Sequence, residues 1–90
     1  MTPNEVKAIT IIREHLNLGT GAFNPVEVKK DAEWLSEQMG FEVRESDLGG
    51  GTLVEVLKDR KVIYRMSGGD VVNKAIVNAA ADYIRPGWRE

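Results

Sequence analysis

Apolar residues near the start of the chain recur every three or four positions, the period of an amphipathic helix. They are Val6, Ile9, Ile12 and Leu16. Thr2 suits an N-cap, Pro3 suits the first helical position, and Glu5 completes a capping box. Gly19 is typical of a residue that ends a helix. The pattern predicts a helix over residues 3–18.

The same opening chemistry recurs 22 residues later. Asn24, Pro25 and Glu27 repeat the cap, the first-turn proline and the capping carboxylate. Apolar positions at helical spacing follow, and they are Val28, Ala32, Leu35 and Met39. Gly40 stands where a left-handed C-terminal cap belongs. These features predict a second helix over residues 25–39.

From residue 41 the hydrophobic period changes to two, which is typical of strands. Three stretches rich in β-branched and aliphatic residues predict strands over 41–46, 52–58 and 61–66. Asp59 and Arg60 separate the last two and suit a tight turn. A type I′ turn requires positive φ at both central residues, so a longer loop with a bulge is the alternative.

A final helix is predicted over residues 70–85, with Asp70 as its N-cap. Its apolar stripe contains Val72, Ala75, Ile76, Ala79, Ala80 and Tyr83. Pro86 and Gly87 stop it and leave a short C-terminal tail.

These elements predict one α+β domain spanning residues 1–90 in the order ααβββα. The simplest arrangement is a three-stranded antiparallel meander with the helices packed on one face.

Composition narrows the chemistry. The chain has no cysteine, which excludes a disulfide scaffold, a thiolate zinc site and a cysteine nucleophile. Its one histidine, His15, lies near the end of the first helix, where a cation complements the helix dipole. Glu42, Glu45 and Asp47 do not have the spacing of a calcium loop. We therefore expect no enzyme activity, no metal and no cofactor.

The charge and the distribution of apolar residues argue against nucleic-acid-binding and membrane proteins. The net charge is −2 and the isoelectric point is about 5.4, which gives no basic footprint for nucleic acid. No apolar run approaches the ~20 residues that span a bilayer, and the start does not have the character of a secretory signal. We expect a cytoplasmic protein, or one in a host cytoplasm if it is viral, with no membrane partner.

One glycine-rich segment has the geometry of an anion site. Ser67, Gly68 and Gly69 lead from a strand into a helix N-terminus, and Lys74 follows one turn later. Asp70 would place a carboxylate where a phosphate would bind. Capping is therefore the favoured role, and these four residues are a weak candidate for anion contact.

The last five predicted elements follow the order αβββα of double-stranded-RNA-binding domains. The alanine-rich final helix, with Lys74 and residues 79–81, is similar to theirs. The resemblance covers about two thirds of the chain and concerns topology. The resemblance implies that the start of that helix and the loop between the first and second strands would contact duplex RNA. Here residues 71–73 are not basic and the loop is 47–51, so phosphate neutralisation is weak. An RNA-binding domain is the alternative function.

Several side chains are candidates for a protein interface, because they are apolar or cationic and fall outside the predicted core stripes. They are Trp34, Leu53, Leu57, Arg60, Lys61 and Trp88. Trp34 lies off the stripe of its helix and packs under the first helix or contacts a partner. Trp88 follows the final helix and either folds back into the core or anchors a partner.

The preferred hypothesis is a non-enzymatic protein-interaction module. In size, acidity and lack of cysteine the chain resembles small accessory proteins of bacteriophages, including anti-CRISPR inhibitors of host defence. That resemblance implies an inhibitor that binds a host protein. Self-association would satisfy the same apolar residues. Sequestration of a small nucleotide is a further alternative.

Overall fold

The computed structural model describes residues 1–19 and 21–89, so Thr20 and Glu90 of the predicted domain lie outside the described residues. It has the predicted element order, and the α+β fold class is confirmed. The elements are α1 Pro3–Leu16, α2 Lys29–Met39, β1 Glu42–Asp47, β2 Thr52–Lys58, β3 Lys61–Gly68 and α3 Val72–Ile84.

The N-terminus of α1 is capped as predicted. The Glu5 backbone N–H donates to the Thr2 hydroxyl at 3.1 Å, and the Thr2 N–H donates to a Glu5 carboxylate oxygen at 2.8 Å. The helix ends two residues earlier than predicted, because Asn17 adopts φ +56° and serves as the left-handed cap in place of Gly19. Asparagine tolerates this conformation better than most residues.

The predicted start of the second helix is wrong. The Glu27 N–H donates to the Asn24 side-chain oxygen at 3.2 Å, but residues 25–27 form only a turn. Val28 is extended, with φ −106° and ψ 111°, so α2 begins at Lys29. The Asn24 N–H donates to the Asp31 carboxylate at 2.8 Å, which holds the turn across the start of the helix. The hydrogen bond between Asn24 and Glu27 therefore stabilises a single turn and does not cap α2.

The sheet has the order β1-β2-β3 with both pairs antiparallel. Asp59 and Arg60 have φ values of +52° and +68°, as a type I′ turn requires. Leu57 pairs with Val62 while Val56 pairs with Tyr64, so one extra residue forms a bulge in β3. The tight turn and the bulge, which were alternatives in the sequence, therefore both occur.

One face of the sheet is covered by α3. Val54 and Val56 of β2 are fully buried against Val71, Ala75 and Ala79. The short alanine side chains let the helix backbone approach the sheet closely. Burial of this face fixes the register, because a slip by one residue would exchange the two faces.

The opposite side of α3 forms the larger core with α1 and α2. Ile76, Val77 and Ala80 of α3 share a buried cluster with Ile12 and Leu35, and each of these is at most 3% exposed. The central helix is therefore buried on two sides. All three helices lie on one side of the sheet, as predicted.

The predicted cap of α3 is wrong. Asp70 adopts φ +51°, and Val71 occupies the cap position without a side-chain hydrogen bond within the described residues. The left-handed residue turns the chain before the helix begins, so the carboxylate caps no amide of its first turn. The helix spans 72–84 and not 70–85.

The C-terminal tail folds back on α3. Trp88 is 3% exposed, and its indole Nε1 donates to Asp82 Oδ1 at 2.6 Å. Arg89 donates to the same carboxylate oxygen at 2.6 Å, and its guanidinium lies 4.6 Å from the Trp88 ring centroid. Trp88 is a core residue, so its assignment to a candidate interface is wrong.

Candidate functional site

The outer face of the sheet is a candidate surface, because the helices lie on the other side. Register places Leu53 and Leu57 on this outer face of β2. Leu57 is only 2% exposed, so it cannot contact a partner, and that part of the predicted interface is wrong. Leu53 is half-buried. Val62 of β3 pairs with Leu57 on this face and is 41% exposed, so the apolar surface here lies at Leu53 and Val62.

Charges on this outer face are paired within the chain. Arg65 contacts Glu55 at 3.0 Å, and Arg44 contacts Glu42 at 2.9 Å. Two cations and two anions balance over this face as a whole, while the Arg65 side chain, beside the open edge of β3, stays 61% exposed.

Trp34 lies at a separate place, beside the connection between α1 and α2. Its ring meets Phe23 edge to face, with centroids 5.9 Å apart, and it is 38% exposed. Leu18 and Ala22 line a shallow groove of about 230 Å³ with them. Arg13 donates to the Phe23 carbonyl at 3.2 Å and fixes the connection. Trp34 thus packs on the connection with one side and is exposed on the other.

A polar cleft of about 940 Å³ lies where the N-termini of the three helices converge. Of the four anion candidates, Gly69 and Lys74 line it, while Ser67 and Gly68 do not. Lys29 is the second lysine there. The carboxylates that line the cleft are those of Glu5, Glu27, Glu45 and Asp70. Four carboxylates against two lysines disfavour a phosphate.

The β2–β3 hairpin presents a third surface. Arg60 and Lys61 are exposed at its tip, as the sequence suggested. Lys58 anchors the hairpin, because its ammonium donates to the Met39 carbonyl at 2.6 Å and lies 5.2 Å from the Tyr83 ring centroid. The tip is therefore held against the C-terminal ends of α2 and α3.

Strand β3 is an edge strand with an open side. It is eight residues long, and within the described chain the backbone hydrogen bonds outside helices and ladders include none to β3. Only Lys61 and Arg65 are charged. The other edge, β1, carries charge at four of its six positions. Charged residues blunt an edge against pairing, so β3 is the less protected edge.

An apolar groove of about 240 Å³ lies beside β3. Ile63 of the bulge forms one wall, and Ala79, Tyr83 and Pro86 form the wall on the α3 side. Tyr83 is 52% exposed. Asp82 also lines the groove, but its carboxylate already accepts hydrogen bonds from the tail. The groove and the strand edge are adjacent and together form the candidate site.

Positive charge surrounds this candidate site. Six of the twelve lysines and arginines lie in residues 58–65 and 85–89, which contain one acidic residue, Asp59. Arg89 lies 5.8 Å from the Tyr64 ring centroid, which brings the tail beside β3. The hairpin and tail are thus locally basic although the whole chain carries a net charge of −2. The net charge of the whole chain does not reveal this local concentration.

No family model, curated protein or solved structure matches this chain.

Within residues 1–19 and 21–89, no group of three or more histidine, aspartate or glutamate side chains is placed to hold a metal ion. None of the helices there combines the length and apolarity needed to cross a membrane.

Proposed function

We propose that this chain is a non-enzymatic protein-interaction domain that binds its partner at the β3 edge and the adjoining groove. The observation that carries the proposal is the eight-residue edge strand, open to pairing and bordered by an apolar groove. Edge strands bind extended segments through main-chain hydrogen bonds, while neighbouring pockets select side chains. That the partner is a host protein bound by a phage-encoded inhibitor stays a prediction from the sequence.

The chemistry of the groove supports binding over catalysis. Its titratable side chains among the described residues are Asp82 and Tyr83. Asp82 accepts bonds from Trp88 and Arg89 on one oxygen at 2.6 Å each, so it serves to hold the tail. A general acid or base must itself lie within hydrogen-bond reach of the proton that it transfers. His15, the one histidine, is exposed in the last turn of α1.

Duplex RNA is the less favoured ligand. The start of α3, where the resembling family places its lysines, has Val71 and Val72, and Lys74 faces a cleft with four carboxylates. Phosphate neutralisation dominates affinity for nucleic acid, and these acids oppose it. The basic residues of the hairpin and tail border a strand edge and an apolar groove, a setting that suits a peptide.

Self-association through β3 is also disfavoured. A two-fold axis at the middle of this strand would bring Arg65 close to Arg65 of the second copy. It would also place the two basic strand edges side by side. Like charges directly opposite each other on neighbouring strands are destabilising. A partner of opposite charge avoids this repulsion.

Selection from a library of random twelve-residue peptides tests the proposal, with affinities measured by calorimetry. We expect selected peptides to bind, and Tyr83→Ser to weaken binding because it removes one wall of the groove. Trp34→Ser is the matched control, because it removes a partly exposed aromatic from the other apolar groove. Failure to select any binder, or a loss of affinity in Trp34→Ser alone, would contradict the proposal.

A further inference from the structure

The pairing geometry of β3 indicates which backbone groups are open. In a two-residue hairpin the residues that flank the turn, Lys58 and Lys61, form a hydrogen-bonded pair. Because backbone groups alternate along β2, the N–H and C=O of Val54 point toward β3 and those of Glu55 point toward β1. On β3, the amides of residues 62, 65 and 67 therefore point to the open side. An added strand would pair with these residues.

The two faces of an added strand would meet different chemistry. Side chains on the helix side would enter the groove beside Ile63 and Tyr83, which is apolar. Side chains on the outer face would lie next to Arg65, whose side chain is 61% exposed even with its ion pair to Glu55. Since strand side chains alternate between faces, the site suits alternating apolar and acidic residues.

We propose that β3 binds an extended acidic segment of a partner protein as a fourth strand, with apolar side chains in the groove and carboxylates toward the basic hairpin and tail. This inference rests on the proposed function and specifies the partner of that same site. The charge of the site selects the occupant. Arg60, Lys61 and Arg65 lie in the hairpin and β3, where Asp59 is the one acid of residues 58–65. The Asp82 carboxylate in the groove is already paired with Arg89 at 2.6 Å.

Four acetylated peptides of three designs test this inference by fluorescence polarisation. The first is an eight-residue peptide of alternating valine and glutamate, the second replaces glutamate by lysine, and the third carries N-methyl groups on alternate residues, in both possible registers. We expect the first to bind, and the second and the third, in at least one register, to bind at least tenfold more weakly. N-methylation removes the pairing amides and leaves side chains and charge unchanged.

A pair of proline variants tests the same pairing from the protein side. Ser67→Pro removes an amide on the open side of β3, a position at which an edge strand tolerates proline. Glu45→Pro removes the corresponding outward amide of β1. We expect about tenfold weaker binding in Ser67→Pro and unchanged binding in Glu45→Pro. Thermal melts check that both variants fold, and the methylated peptides keep the test valid if one does not.

The outcomes separate the two proposals. Library peptides that bind at the groove but tolerate N-methylation, or that prefer lysine, would overturn strand addition by an acidic segment and leave the interaction domain standing. Duplex RNA that binds at low salt and displaces the peptide would overturn the choice of a protein partner. Weaker peptide binding as ionic strength rises would support the role of charge.

Discussion

Removal of the Trp88 indole tests whether the C-terminal tail belongs to the core. The side chain is 3% exposed, shares the cluster of Ile12 and Leu35, and donates to Asp82 at 2.6 Å. A tryptophan buries about 150–250 Å², which corresponds to roughly 4–6 kcal/mol at about 25 cal/mol per Å². Fraying of the last one or two residues of the tail, at roughly 1–2 kcal/mol of backbone entropy each, offsets about 2 kcal/mol of this.

We therefore expect Trp88→Ala to lower the free energy of unfolding by about 2–4 kcal/mol, a value close to the usual range for such substitutions. A chain of this length is stable by roughly 4–13 kcal/mol, so the loss is a large fraction of the total. Urea denaturation followed by far-ultraviolet circular dichroism measures it. Trp88→Phe is the matched control: it keeps most of the burial and removes the hydrogen bond, at a cost of about 1–2 kcal/mol.

A loss below about 1 kcal/mol in Trp88→Ala would refute the reasoning, because replacing a buried tryptophan by alanine lowers stability by more than this. Equal losses in the alanine and phenylalanine variants would show that the bond to Asp82 stabilises the tail and that burial does not. In Trp88→Phe the remaining fluorescence comes from Trp34, which is 38% exposed. Its emission should therefore be that of a partly hydrated indole and should report on the α1–α2 connection alone.

Three further substitutions have expected effects on urea unfolding. Arg60→Gly should raise the free energy of unfolding by about 0.5–1 kcal/mol, because glycine adopts the φ of +68° without strain, whereas Lys61→Gly in the strand should lower it. An unchanged or reduced stability of Arg60→Gly would refute the turn geometry. Ala80→Leu should cost about 1–3 kcal/mol, because Ala80 is fully buried between helices, and Lys74→Leu on the exposed face should change stability by less than about 0.5 kcal/mol. Equal effects of these two leucines would contradict the close packing of α3. Thr2→Ala should cost about 0.5–2 kcal/mol through loss of the capping box, and no loss would mean that this box is not formed in solution.

The sequence was sufficient for features that depend on neighbours along the chain. The capping box of Thr2 and Glu5, the three strands and the tight turn at Asp59 each rest on local periodicity or local backbone preference. The fold class followed from the order of these elements, because three short strands in succession pair most simply as a meander.

The predictions from the sequence were wrong where the same residue types suit both a helix cap and a turn. Asn24 and Glu27 form a capping pair, but the Asp31 carboxylate takes the Asn24 amide, so the pair closes a turn ahead of the helix. Asp70 has good capping chemistry, but its φ of +51° serves the turn before α3. These choices depend on contacts between elements, which local pattern does not contain.

The candidate site could be predicted only in part. Arg60 and Lys61 are exposed as expected, whereas Leu57 and Trp88 are buried by packing that periodicity does not reveal. The groove was missed because Ile63 and Tyr83 are 20 positions apart in the chain and meet only after α3 lies on the sheet. The concentration of cations in the hairpin and the tail was the one signal that could have indicated it.

Amide hydrogen exchange on β3 tests the central claim most directly. The outward amides of residues 62, 65 and 67 should exchange quickly in the free protein, since on the open side they have no ladder partner. With the valine–glutamate peptide at saturation we predict that these three amides become protected, while the outward amides of residues 43 and 45 on β1 do not change. Unchanged exchange at residues 62, 65 and 67 in the bound state, or protection confined to β1, would contradict the assignment of β3 as the binding edge.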